Sequence, residues 1–513
     1  MSAGIRADRS VIRRITIIGE ENMKEPKRLL GRMTAFLLCC ALLTGCSQKP
    51  TDPGRTEPPS ETEPPAASEN ETEPEETEPS IWTLTGVPEG TTYDGCTFNA
   101  LVYNNQSWGR GELCVEELTG EVLNDAYFNR NLYVENLLGI TITQDARHHE
   151  SLVQTFTNSV TAGDNAYSAG WLRQRDAASC AMNKTCLDLN LLTLDLGNPW
   201  WDYHSIQDTT MGGKNYLVAT DITIADKDAI WPVYFHKGIL EEEMLENPYE
   251  LVNAGKWTFD KLREMAAQAM KDLDGDGVMD RDKDRFGYVT HEENYAASWM
   301  ACGERLVGID EEGIPFAAFE SERFVDVYNK IYKTMNADYC YWRQIGVNGR
   351  IFSQGRALFL NEVISGMRYM REYEFDFGVL PLPKYDEVQD SYHTYVAEGA
   401  ALMIVPKTID DVDRLGRTLE ILGYTGRDQI LPAYYEINLK TRDSRDVESG
   451  RMLDICLNTR CYDLGVMFDW GGIVMTVKTG MENVTRIITA KGNLMKTSMA
   501  KAFKVLDIEV PEG

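Results

Sequence analysis

The densest cluster of side chains able to do chemistry is an acidic loop, Asp272-Leu273-Asp274-Gly275-Asp276-Gly277-Val278-Met279-Asp280-Arg281-Asp282-Lys283-Asp284. Carboxylates at alternate positions, followed by a glycine for the tight turn, give a calcium ion the oxygen-rich geometry it requires. Val278 would add its carbonyl, and Asp280 stands where a further ligand is usual. The position that normally supplies a closing glutamate is Lys283, so Asp284 or Asp282 must close the shell. The expected set is Asp272, Asp274, Asp276, Val278, Asp280 and Asp284 around a structural calcium; the plainer alternative is an acidic, glycine-rich surface turn. No catalytic constellation accompanies it. G-x-S-x-G, H-E-x-x-H and a Gly-rich phosphate loop are absent, and His148-His149-Glu150 and His291-Glu292 lack the i, i+4 partner of a zinc helix. The chain is not read as an enzyme, although its many carboxylates keep an exported carbohydrate-active enzyme as an alternative.

A second reactive position is Cys46. From Met23 the chain runs basic (Lys24, Lys27, Arg28, Arg32), then apolar (Ala35 to Leu43), then Leu43-Thr44-Gly45-Cys46. That order is a signal peptide over residues 1–45, with translation expected to begin at Met23. Its ending resembles the lipobox of bacterial lipoproteins, which implies that the Cys46 thiol takes a diacylglycerol. The mature chain is then expected on the extracellular face of the cytoplasmic membrane, held only by its lipid. Residues 46–80, rich in Pro, Thr and Glu with few apolar side chains, read as a disordered tether that proline and like charge extend. Nothing after residue 45 supplies a membrane-spanning apolar run. A net charge of −29 argues against nucleic acid as a partner. Of eleven cysteines, eight lie in the body; Cys180/Cys186 and Cys456/Cys461 are near enough in sequence for disulfides, with buried reduced thiols the equal alternative.

The elements that must position any site follow an α/β pattern. Thr97 to Asn104 suits a strand buried on both faces, and Gly120 to Leu138 carries apolar residues at helical spacing. Gly139 suits the helix C-cap and Ile140 to Ile142 starts a second strand, so the order is that of a parallel βαβ unit. Ala229 to Phe235 reads as a strand, and Thr258 as the N-cap of a helix that buries Phe259, Leu262, Met265, Ala266 and Ala269. Ala357 to Leu360, Phe377 to Leu380 and Ala400 to Val405 are strand-like, and the chain from Asp446 is mostly helical in character.

Several segments occur in an order that resembles the extracellular solute-binding proteins of ABC importers, carbohydrate-type family 1. They are Asn124-Asp125-Ala126 with Arg130-Asn131, Gly197-Asn198-Pro199-Trp200-Trp201-Asp202, Asn247-Pro248-Tyr249-Glu250-Leu251-Val252, Gly255-Lys256-Trp257-Thr258, Gly355-Arg356-Ala357-Leu358-Phe359, Phe377-Gly378-Val379-Leu380-Pro381-Leu382-Pro383-Lys384, Pro432-Ala433-Tyr434-Tyr435-Glu436, and Arg445-Asp446-Val447-Glu448-Ser449 with Met452-Leu453-Asp454. The resemblance implies a two-lobed periplasmic-binding-protein-like α/β fold whose crossing strands flank a ligand cleft. Lobe 1 would take residues 81–220 and 396–440, and lobe 2 residues 221–395 and the helices of 441–513. It implies capture of a small solute, a carbohydrate, for delivery to ABC permease subunits; a surface adhesin that kept the fold without transport is a further alternative. Aromatic faces and planar polar groups suit sugars. The implied ligand set is Asn105 and Trp108 from the loop after the first strand, Trp171 and Arg173 from a second loop, Tyr295 and Trp299, Asn361 and Glu362, and Trp470. Trp200 and Trp257 are assigned to packing. Phe235-His236-Lys237 stands where such proteins commonly carry Phe-Asn-Lys, a change that would alter one hydrogen bond near the hinge.

Overall fold

In the computed structural model the chain divides into two units, Met1–Glu75 and Glu76–Gly513. The structure describes residues 79–104, 112–342, 346–435, 446–478, 480 and 482–510, all of the second unit. Cys46 lies outside them.

The strands in chain order are β1 (Cys96–Tyr103), β2 (Ile140–Arg147), β3 (Ala169–Arg173), β4 (Val233–His236), β5 (Phe286–Val289), the short pair β6 (Val307–Ile309) and β7 (Pro315–Ala317), β8 (Cys340–Tyr341), β9 (Ala357–Asn361), β10 (Phe377–Leu380), β11 (Thr394–Tyr395), β12 (Ala401–Ile404) and β13 (Arg460–Cys461). They build one sheet ordered β12-β3-β1-β2 and another ordered β10-β4-β9-β5-β8. β1 pairs parallel with β2 and β3, and β12 returns antiparallel beside β3. In the second sheet β5 is parallel to β8 and β9, while β4 runs antiparallel to β9 and β10.

The expected βαβ unit is present. The helix Val122–Leu138 joins β1 to β2 and ends at Gly139, whose φ of 65° is left-handed and whose N–H reaches Glu135 O. β1 alternates as a two-faced strand must: Phe98, Ala100 and Val102 enter one core, Leu101 and Tyr103 the other. Thr258 caps the helix Phe259–Ala269 by accepting the Lys261 N–H. That helix lies so close to β5 that a Cβ on Gly287 would sit 1.9 Å from Ala266 O, which only glycine permits.

Three segments cross between the sheets side by side. Ala397 N donates to Ala229 O at 3.0 Å, Trp231 N to Tyr395 O at 3.2 Å, and β11 pairs parallel with β13. The ordered motifs prove to be scaffold ties. Asp195 N, Asn198, Trp200 and Trp201 all donate to the buried Glu420 carboxylate, at 2.6 to 3.3 Å. Trp257 Nε1 donates to Pro381 O at 2.9 Å. The Tyr249 hydroxyl meets Asp446 at 2.9 Å and Ser449 at 2.8 Å. Trp200 and Trp257 are therefore core residues, 3% and 0% exposed.

The eight body cysteines are all free thiols, so neither sequence-adjacent pair is bridged. Burial pushes Cys180 and Cys456 up to about 12, which keeps them protonated. No helix among the described residues is long and apolar enough to cross a membrane.

Candidate functional site

Strand ends from both sheets meet across the gap. β3 ends at Arg173 and passes directly into the helix Gln174–Met182, which carries Arg175. β5 is followed by His291 and Glu293, and β9 by Glu362 and Val363. Trp231 comes from one crossing segment, and Ala397, Glu398 and Gly399 from another. Together they line a cavity of about 340 Å³. Open α/β sheets place ligands beyond the C-terminal strand ends, and small-molecule sites span about 300–1,000 Å³. Two larger hollows of about 530 and 720 Å³ share His204, Asn458 and Arg460, and neither is lined by the C-terminal end of a strand of either main sheet.

The cavity wall is a web of charge. Lys478, 3% exposed, donates to Glu293 at 2.8 Å and to Glu398 at 3.1 Å. Arg175 lies 3.3 Å from both Glu398 and Asp469. Arg173 grips Asp176 through two hydrogen bonds of 2.7 and 3.1 Å and lies over the Tyr103 ring at 5.5 Å. Glu362 accepts from Asn348 at 3.1 Å and from the Val363 N–H at 3.0 Å, with His291 Nε2 3.7 Å away. Burial alone would raise Glu362, but His291 and these donors outweigh it and hold the carboxyl below its usual range.

Trp231 supplies the aromatic surface. It is 3% exposed and meets His291 edge-on at 4.8 Å. Its Nε1–H has no acceptor among the described residues. A buried indole N–H usually finds a partner. Here a cavity lies beside it.

Of the residues expected from sequence, Arg173 and Glu362 line this cavity. Four aromatics do not. Trp171 is not in a loop: it sits in β3 between β1 and β12, 1% exposed in the core of the first sheet. Tyr295 and Trp299 are fully buried, Tyr295 stacked on Tyr328 at 5.7 Å and Trp299 beside Phe324 at 5.9 Å. Trp470 stacks on Phe468 at 4.8 Å and is 4% exposed. Asn361 is buried and donates to Pro232 O at 2.8 Å, tying β9 to a crossing segment. Asn105 and Trp108 lie outside the described residues. Sequence reasoning missed Trp231, Arg175, His291, Glu293, Glu398 and Lys478. The signal that could have found most of them is polar residues directly after buried strands, and a Trp-Pro pair entering one.

The acidic loop gathers Asp272, Asp274 and Asp276, whose carboxylate oxygens lie within 4.8 Å of one another. Asp272 accepts the N–H groups of Gly275 and Gly277, both at 2.7 Å, which wraps the turn around it. Asp284 differs from the expected shell-closing ligand: fully buried, it accepts Leu273 N at 2.8 Å and Asp280 N at 2.7 Å, bracing the loop from inside. Asp280 turns one oxygen to Asp282 N at 2.7 Å. Neither Asp280 nor Asp284 joins the close trio, and Val278 is exposed with its N–H on Asp276. Lys283 reaches Asp274 at 2.7 Å and Asp276 at 3.9 Å, and its hydrogen bond lowers Asp274. An ammonium thus supplies positive charge to two of the three carboxylates.

No family model and no curated protein matches the sequence. Solved structures do. A cyclo/maltodextrin-binding protein complexed with maltotetraose aligns with a TM-score of 0.54 at 12% identity, covering 81% of this chain and 97% of its own. A cyclic alpha-maltosyl-1,6-maltose binding protein from Arthrobacter globiformis gives 0.53 at 12% identity, over 81% of this chain and all of its own. A family 1 extracellular solute-binding protein from Bifidobacterium longum subsp. infantis gives 0.50 at 12%, over 81% and 98%. At such identities the likeness is one of fold. The chain has the two-lobed, periplasmic-binding-protein-like α/β architecture that its own sheets and crossing segments describe.

Proposed function

We propose that the protein is an extracellular solute-binding lipoprotein that captures a small saccharide between its lobes and delivers it to an ABC importer. The observation that carries this reading is the cavity at the strand ends of both sheets, where an indole N–H without an acceptor among the described residues adjoins carboxylates and guanidinium groups. Those groups can hydrogen-bond the hydroxyls of a sugar while the Trp231 ring covers its C–H face. Contacts from both sides favour the closed state only when solute is present, which is how capture shifts the lobe equilibrium. The proteins of like fold reported above include binders of maltotetraose and of cyclic maltosyl-maltose, which supports a sugar as solute. An enzymatic reading finds less support. A glycosidase acid needs a raised pKa, whereas Glu362 is held low and Glu293 and Glu398 share the Lys478 ammonium.

Cys46 supplies the lipid anchor in this proposal, and the acidic loop binds calcium through Asp272, Asp274 and Asp276 once Lys283 is displaced. Thermal melts of the purified full chain against a saccharide panel, with calcium or chelator, test the reading. A ligand that binds only the folded state raises the melting temperature by mass action. A rise with a saccharide supports the function, and no response to any saccharide overturns it. Indifference to calcium and chelator reduces the loop to a surface turn. Membrane fractionation of Cys46→Ala decides the anchor, since continued membrane retention would exclude lipidation at that thiol.

A further inference from the structure

Among the described residues each cation at the cavity already has a carboxylate within ion-pair distance. Arg173 is held by Asp176 at 2.7 Å, Arg175 lies 3.3 Å from both Glu398 and Asp469, and Lys478 bridges Glu293 and Glu398. Among the described residues Glu362 faces the same space with neutral donors and His291 beside it. Glu293, Glu362 and Glu398 line the cavity with Arg173 and Arg175, and with the ion-pair partners Asp176, Asp469 and Lys478 behind them the described groups number five carboxylates against three cations. Even a protonated His291 leaves the carboxylates in the majority. The side chains concerned are at most 30% exposed, so solvent screens them only in part.

We infer that this cavity selects its solute by charge, admitting uncharged or amine-bearing saccharides of one or two rings and excluding anionic ones such as uronates and sugar phosphates. The inference rests on the saccharide reading above and narrows it. A solute carboxylate or phosphate would meet no cation among the described residues that lacks a carboxylate beside it, and would have to compete with Glu398 or Asp176 for one. Like charges brought together in a partly desolvated site are strongly disfavoured. A neutral sugar meets neither obstacle, because its hydroxyls donate to carboxylates that have lone pairs to spare, and its oxygens accept the Trp231 N–H. An amine gains further from the carboxylate surplus and from the face of the Trp231 ring. The size limit follows from volume: about 340 Å³ lies at the lower end of small-molecule sites, short of what a four-ring chain fills.

The test is isothermal titration of the full chain with matched sets that differ only in charge: glucose, glucosamine and glucuronate, then galactose, galactosamine and galacturonate, with maltotetraose for size. Within the set that binds, the amine should match or exceed the neutral sugar, and the uronate should bind about a hundredfold or more weakly. In Glu362→Gln, with one carboxylate neutralised at equal size, the gap between neutral sugar and uronate should narrow about tenfold. Circular dichroism of that variant verifies that it folds. A uronate or sugar phosphate that binds as tightly as its neutral partner overturns charge selection while leaving the saccharide reading intact, and so does an unchanged gap in a folded Glu362→Gln. Maltotetraose binding more tightly than every one-ring sugar overturns the size limit. If no saccharide of any charge binds, the saccharide reading itself falls and the selectivity with it.

Discussion

Glu293 stands at the N-terminus of one short helix, Asn294–Ala301, and Trp299 lies within it, yet they belong to different parts of the molecule. Glu293 precedes the helix and turns its carboxylate into the cavity, where Lys478 and the Tyr395 hydroxyl meet it. Tyr295 and Trp299 project into an apolar interior with Tyr328, Trp342 and Phe324. The wall is made of charge and the interior of rings. A ring therefore marks a ligand site only where it stands at a strand end facing the gap, as Trp231 does. Trp231, Trp171, Trp299 and Trp470 all have buried indole N–H groups without an acceptor among the described residues, and only Trp231 lines the cavity.

The largest effect separates the two directly. Trp299→Ala should lower stability by about 3–5 kcal/mol, the cost of deleting a large buried ring, with no selective loss of ligand. Trp231→Phe keeps most of the buried area and removes the N–H, so stability should change by no more than about 1.5 kcal/mol. Saccharide affinity should meanwhile fall about tenfold, since one hydrogen bond of roughly 1.4 kcal/mol corresponds to that factor. Urea unfolding and titration calorimetry measure the pair. Equal destabilisation by both variants, with unchanged affinity in Trp231→Phe, would erase the distinction.

Next comes the wall's own ammonium. Lys478→Met leaves Glu293 and Glu398 without their shared cation in a partly buried site, and should cost about 3 kcal/mol. Adding Glu293→Gln to Lys478→Met should recover part of that loss, because Glu293 is the carboxylate left without a cation while Glu398 keeps Arg175. If the double variant is less stable than the single one, the charges are not what the lysine answers.

How much of this was legible depended on which physics each part obeys. The strands and the capped helices follow local rules, so Thr258, Gly139 and the apolar runs announced them. The motifs fixed the scaffold, because each ties distant segments together, as the ligation of Glu420 by the Asn198–Trp201 stretch shows. The cavity wall was hidden for the opposite reason. Lys478 comes 185 positions after Glu293, and 80 after Glu398, and no local pattern foretells that meeting. Trp171 was misplaced because a buried central strand of five residues with Arg173 at its end looks like a loop in sequence.

Acid should also distinguish the cavity wall from His393, a half-buried residue just before β11. Burial, followed by the nearby charge of Arg305 and His204, pushes His393 down from 6.5 to about 4. Its contribution is fully present above pH 6.5, where folded and unfolded chains are both neutral there. It is lost as the pH falls towards 4, because the unfolded chain takes the proton first. That amounts to about 2 kcal/mol between pH 7 and 5. Glu362 has the opposite charge but the same direction, and its contribution is lost only below the ordinary carboxylate range of roughly 4.3. The stability of wild type minus His393→Gln should therefore decline from pH 7 to 5. A flat difference would move acid sensitivity elsewhere.

The smallest effect concerns a ring that does two jobs at once. His236 ends β4 and caps the helix Lys237–Glu242, its Nδ1 accepting the Ile239 N–H at 3.2 Å. The same ring stacks on Phe375 at 4.0 Å, nearly parallel at 13°. The hydrogen bond expected to change at this position is, in this chain, an N-cap, which the imidazole nitrogen accepts as long as it is unprotonated. Burial lowers the pKa of His236 and favours that neutral form. His236→Asn puts a strong N-cap residue there and gives up the stacked ring, worth about 0.5–1.5 kcal/mol. It should stay within about 1 kcal/mol of wild type, while His236→Ala loses cap and ring and should fall by about 2 kcal/mol. The gap between the two variants measures the cap alone. Were Asn and Ala equally destabilising, the ring contact with Phe375 would account for His236 by itself, and this residue would belong with Trp299 on the aromatic side of the comparison.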